Sequence, residues 1–178
     1  MPIRRPQIDL ANLVVNRQTW AETRLAMARV IAMRSLCVRD QVGAIIVDSG
    51  NKVIGEGYNG PPSKFWHSNQ SCTSWCQRAK NAKLDSVDEP QVDYSDCPSL
   101  HAEANALMMS DRTLRSGGTI YVTSHICMGC AKLIANSGLR YAVVDSPDEH
   151  EHRRSDVSYS FLHTSGLHVI VNGKSVLA

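Results

Sequence analysis

The chain has 178 residues, 43% of them hydrophobic and 20% charged, with a formal net charge of +2, enough for one compact domain with a buried core. Its weak, scattered basicity speaks against the clustered basic face of a nucleic-acid-binding protein, and no apolar run reaches the ~20 residues of a membrane span. The opening stretch MPIRRPQIDLANLVV lacks a long apolar core ahead of a small-residue cleavage site, so a cytoplasmic protein without a secretory signal is expected; in that reducing compartment six grouped cysteines point to metal binding or chemistry rather than disulfides.

Residues 1–18 read as an irregular, proline-containing arm. Thr19 stands as an N-cap with Glu22 three residues on, the spacing of a capping box. Leu25, Ala28, Val30, Ile31 and Ala32 then predict a helix from Trp20 to about Ser35. QVGAIIVD is a β-branched strand, SGN a turn and KVIGEGYN the returning strand of a hairpin. Residues 60–99 break this rhythm and hold Cys72, Cys76 and Cys97. So long an irregular insertion needs something to hold it.

After the insertion the chain alternates. A helix is predicted from Leu100 to about Asp111, then the strand TIYVT, then a helix from Met128 to Ser137 ended by Gly138. The strand RYAVVD, a short helix over 157–165 closed by Gly166, and the strand LHVIV follow. Met108 and Met109 are expected in the core, and Tyr159 and Phe161 are expected to pack the last helix. Alternation of this kind predicts a three-layer α/β fold, with residues 1–178 as a single domain and five strands in its sheet.

Two short motifs carry the chemistry. HAEAN places His101 and Glu103 at the start of a predicted helix, and CMGC places Cys127 and Cys130 three apart at the start of the next. Residues at i and i+3 of a helix converge. One imidazole and two thiolates make a tetrahedral zinc site with its fourth position open, as catalytic zinc requires. Glu103 is then no ligand but a base, able to move protons between water and substrate. The plainer alternative is an ordinary helix start beside a redox or packing pair of cysteines. The H-x-E and C-x-x-C spacing matches the signature of zinc-dependent nucleobase deaminases.

The blocks RSLCVRDQVGAIIV, GEGYNGPP, HAEANAL, TIYVTSHICMGCAKLIANSGLRYAVV and SGLHVIV resemble, in order and over about residues 20–171, the deoxycytidylate (dCMP) deaminases of the cytidine deaminase superfamily. One departure stands out. The family pattern has proline before the first paired cysteine, where this chain has Ile126; proline would stiffen the loop.

The resemblance implies a three-layer α/β/α cytidine deaminase-like fold with a five-stranded mixed sheet. It implies hydrolytic deamination of dCMP to dUMP and ammonia, supplying dUMP for thymidylate synthesis, with zinc held by His101, Cys127 and Cys130 and Glu103 as proton shuttle. Asn59 would contact the sugar; read alone, Asn59-Gly60 is also a turn signal. The 5′-phosphate needs a basic partner, for which Arg34, Arg39, Arg112 or an arginine of a neighbouring subunit are the candidates. A second zinc, known in some family members, would be held by Cys37, Cys72, Cys76 and Cys97, with His67 as the rival ligand. dCTP with Mg²⁺ and dTTP are the implied effectors, and a hexamer the implied assembly. Two other activities stay open: the same chemistry on a 5-modified deoxycytidylate or another nucleoside monophosphate, and a deaminase acting on nucleic acid. Only 6% aromatics and a charge of +2 weigh against the last.

Overall fold

The computed structural model describes residues 17–65, 72, 76, 97–146 and 155–176. The arm before residue 17 and most of the irregular 60–99 stretch, His67 included, lie outside the described residues. The elements in chain order are α1 (Trp20–Ala32), β1 (Gly43–Val47), β2 (Val53–Tyr58), α2 (Ala102–Met108), α3 (Arg112–Arg115), β3 (Thr119–Val122), α4 (Met128–Ala135), β4 (Tyr141–Val144), α5 (Ser155–Thr164), β5 (His168–Val171) and β6 (Lys174–Val176).

The strands form one mixed sheet in the order β2-β1-β3-β4-β5-β6. β1 lies antiparallel to both β2 and β3. β3, β4 and β5 run parallel, as helical crossovers require. Along the central strand β1 every residue is buried, and alternate side chains serve opposite faces. Ala44 and Ile46 join Ala102, Ala106, Ala131, Ile134 and Leu162 in the larger core, under α2, α4 and α5. Ile45 and Val47 join Ala28 of α1 on the other face. The result is a three-layer α/β/α fold. Ile45, Ile46, Ile120 and Ile134 are fully buried, each contributing about 1.5–3 kcal/mol of burial.

Local chemistry sets the element ends. Thr19 Oγ1 accepts the Glu22 N–H at 3.2 Å and Glu22 returns the contact to the Thr19 N–H at 2.7 Å, the expected capping box. α1 ends at Ala32, one turn short of the expected Ser35. The helix expected over 100–111 is two helices, because Asp111 Oδ1 accepts the Thr113 N–H at 2.7 Å and caps a new start. Met108 and Met109 are 64% and 72% exposed; the core expectation fails because the helix turns that face outward.

The five-stranded expectation is also corrected. Asn172 and Gly173 take positive φ values of 48° and 76° and fold the chain back, so β6 pairs antiparallel with β5 through Val171↔Lys174. An Asn-Gly pair is the strongest short hairpin signal; here it sits in a short polar tail.

One close approach fixes where the site forms. A Cβ on Gly57 would stand 2.3 Å from Ala102 O and 2.4 Å from Ala106 N. α2 therefore lies directly on β2, and its first turn cannot shift without opening that contact. The chain entering α2 is tied down as well, by paired hydrogen bonds between Gly60 and Leu100 of 3.1 and 2.9 Å.

Candidate functional site

Two helix starts face each other where the parallel strands end. His101 is the N-cap of α2 and Cys127 the N-cap of α4, both with extended backbone. His101 makes no side-chain cap bond to its own helix. Its Nδ1 lies 3.4 Å from Cys127 Sγ and 3.4 Å from Cys130 Sγ. All three donor atoms lie within 4.8 Å of one another. Around a tetrahedral zinc with bonds of ~2.3 Å to sulfur and ~2.0 Å to nitrogen, a sulfur and a nitrogen are about 3.5 Å apart. The donor set and its spacing thus fit zinc, with Nδ1 as the nitrogen ligand.

The electrostatics suit the same conclusion. Cys127 Sγ accepts the Cys130 N–H at 3.4 Å. Its thiol is lowered to about 3, first by the hydrogen bond from Cys130 and further by His101. Cys130 is pushed up, first by its hydrogen bond with Cys127 and then by burial. A bound divalent ion supplies the charge that lets both ionise, and the N-terminus of α4 favours the anionic form.

Glu103 is 3% exposed and lies beside the cluster without being one of its three donors. Burial is the main influence, raising its carboxyl to about 6; the charge of His101 and a hydrogen bond from Cys130 oppose that rise. A carboxyl poised so near neutrality suits general acid–base work.

Asn59 sits at the end of β2 with its amide engaged on both sides. Nδ2 donates to Asp40 O at 2.8 Å, and Oδ1 accepts the Val42 N–H at 2.8 Å. It braces the 35–42 loop while keeping one N–H and one lone pair for another partner. Sequence reasoning passed over Asn105, whose Nδ2 donates to Tyr58 O at 2.8 Å and ties the HAEAN helix to the Asn59 strand. It sits one turn beyond His101, but no spacing names its partner.

The three arginines part company. Arg34 is exposed and lies over the Tyr58 ring, 5.8 Å from its centroid. Arg39 is exposed and lines an open groove of about 700 Å³ formed by residues 35–41. Arg112 donates to Asn136 O at 2.7 Å, at the C-cap of α4. That is the end of the helix opposite Cys127, so the structure does not bring Arg112 to the cluster of its own chain.

The four remaining cysteines lie near one another, but among the described residues only His101, Cys127 and Cys130 have the mutual donor spacing of a metal site. Cys72 and Cys76 are buried with Cys37 packed against them. Cys72 Sγ accepts the Val38 N–H at 3.4 Å and is hydrogen-bonded to Cys37. Cys97 is hydrogen-bonded to Cys76. Burial raises the thiols of Cys72 and Cys97.

Comparison with known proteins matches residues 15–160 to the MafB19-like deaminase family model. The deoxycytidylate deaminase of Mycobacterium phage D29 is 37% identical over 72% of this chain and 96% of its own length. The human deoxycytidylate deaminase is 37% identical over 74% of this chain and 67% of its own. The dCMP deaminase of cyanophage S-TIM5, solved in complex with dCMP and dUMP, superimposes with a TM-score of 0.62 at 26% identity, covering 84% of this chain and 94% of that one.

Proposed function

Because this chain belongs to the deoxycytidylate deaminase family, we propose that it hydrolyses dCMP to dUMP and ammonia at the His101–Cys127–Cys130 centre. It is an enzyme, a deaminase. The observation that carries the reading is a three-donor metal cluster whose spacing fits zinc, with a buried carboxyl beside it that is not a ligand.

His101, Cys127 and Cys130 would hold the zinc, which when bound makes a water acidic enough to attack near neutral pH. Glu103 does the proton work. It takes a proton from the attacking water and passes it to ring nitrogen N3. It then carries the second water proton to the amino group, which leaves C4 as ammonia while the carbonyl of uracil forms. Burial of Glu103 keeps bulk water from competing for those protons.

Asn59 has the spare amide valences to meet the sugar. Arg39, on its open groove, and Arg34 are the candidates for the 5′-phosphate within one chain; an arginine of a neighbouring subunit would serve equally. Cys37, Cys72, Cys76 and Cys97 are assigned a second, structural zinc, which would order the insertion. dCTP with Mg²⁺ and dTTP are the proposed effectors. A homo-oligomer, a hexamer by family resemblance, is supported by the exposed apolar side chains of Met108, Met109, Leu114 and Leu133. The dUMP formed would feed thymidylate synthesis in the cytoplasm. Among the described residues no helix is long and apolar enough to cross a membrane.

The test is ammonia release from a panel of nucleotides: dCMP, its 5-methyl and 5-hydroxymethyl forms, CMP, dAMP, dGMP and free deoxycytidine. Turnover of dCMP above the rest supports the reading. Turnover confined to another member overturns the substrate.

A further inference from the structure

α5 supplies no metal ligand, yet it grips the two residues that lead into Cys127. Ser158 Oγ donates to Ile126 O at 2.6 Å, and both residues are about 1% exposed. The next residue, Tyr159, is 5% exposed. Its hydroxyl lies 2.8 Å from His125 Nδ1, a hydrogen-bond distance between two groups that can each donate or accept. Consecutive residues of one helix thus hold the carbonyl of Ile126 and the ring of His125.

Cys127 follows at once and must keep extended backbone, at φ −73° and ψ 162°, to cap α4. In the family pattern a proline at this place stiffens the chain through its ring. Here the same stretch is held from outside, by the Ser158 hydroxyl on Ile126 O and the Tyr159 hydroxyl beside His125.

We propose that Ser158 and Tyr159 are positioning residues: by fixing the main chain at 125–126 they hold the Cys127 sulfur in reach of His101, doing through hydrogen bonds what a proline at 126 would do through its ring. The proposal rests on the zinc deaminase reading of the same site.

The test uses the zinc-loaded full chain and a chromogenic chelator, with dCMP turnover measured in parallel. Tyr159→Phe keeps the ring but removes the hydroxyl that His125 Nδ1 contacts. It should release the cluster's zinc about tenfold faster than wild type, as loss of outer-shell support does, and kcat should fall about as far with KM nearly unchanged. Ser158→Ala should act in the same direction. Adding Ile126→Pro to Tyr159→Phe stiffens the loop through the proline ring instead, so zinc release should return close to the wild-type rate. A general loss of stability would not be repaired by that second change.

If both single variants release zinc at the wild-type rate, or the added proline restores nothing, the positioning role is wrong and the deaminase reading stands. If Tyr159→Phe does not fold, Ser158→Ala decides alone. If wild-type protein binds no zinc and yields no ammonia from any nucleotide, the deaminase reading falls and takes this proposal with it.

Discussion

The carbonyl oxygen of Ala102 lies 2.3 Å from where a side chain on Gly57 would begin. The neighbour is helix backbone, which cannot swing aside. Gly57→Ala should therefore push the first turn of α2 off β2, at a cost of about 1–3 kcal/mol. His101 and Glu103 flank Ala102, so activity should drop more than the melting temperature alone explains. Thermal unfolding and kcat measured on the same preparation check both parts.

Glu103→Gln keeps the shape of the buried side chain and removes its proton traffic. kcat should fall by about 10²–10⁴-fold while zinc content stays at the wild-type value. Metal analysis beside steady-state kinetics reads the two quantities. Wild-type turnover in this variant would end the proton-shuttle role.

Removing the metal tests the ligand set. A strong chelator should abolish turnover, and added zinc should bring it back. Cys130→Ala should be inactive and should not recover with zinc, because one of three protein ligands is gone. Ammonia release before and after zinc addition is the measurement.

The second cysteine group leads to a stoichiometry. Wild-type protein should carry about two zinc ions per chain and Cys37→Ala about one. Cys37 shares a hydrogen bond with Cys72 and lies far along the chain from His101, so catalysis by the remaining centre should persist at permissive temperature. A wild-type value near one in fully active protein would remove the second ion.

Asn59 spans Asp40 O and the Val42 N–H. Asn59→Ala strands both groups and should cost about 2 kcal/mol of stability. A sugar contact adds a rise in KM for dCMP at temperatures where the variant is fully folded. An unchanged KM under those conditions would leave Asn59 with the brace alone.

What could be read from the residues was whatever local spacing encodes. A helix start at His101 and another at Cys127 follow from short-range pattern, and metal geometry follows once both starts meet. The capping box of Thr19 and Glu22 is equally local. Contacts between distant segments were hidden. Nothing in the sequence near Ile126 points to Tyr159, some thirty residues away, although the missing proline marks the spot where a substitute had to be found. Arg112 looked close to the site because it follows the HAEAN helix, but a helix separates its two ends in space. The Asn172-Gly173 turn was legible and was passed over because the strand after it is only three residues long.

That small last strand has a wider consequence. Without Lys174–Val176, β5 would present its open row of amides and carbonyls to any passing strand, a template for aggregation. With it, the outer rim is short and bears a lysine, a poor surface for a second molecule to extend. The turn at Asn172 thus shields that edge of the sheet from pairing with its own kind.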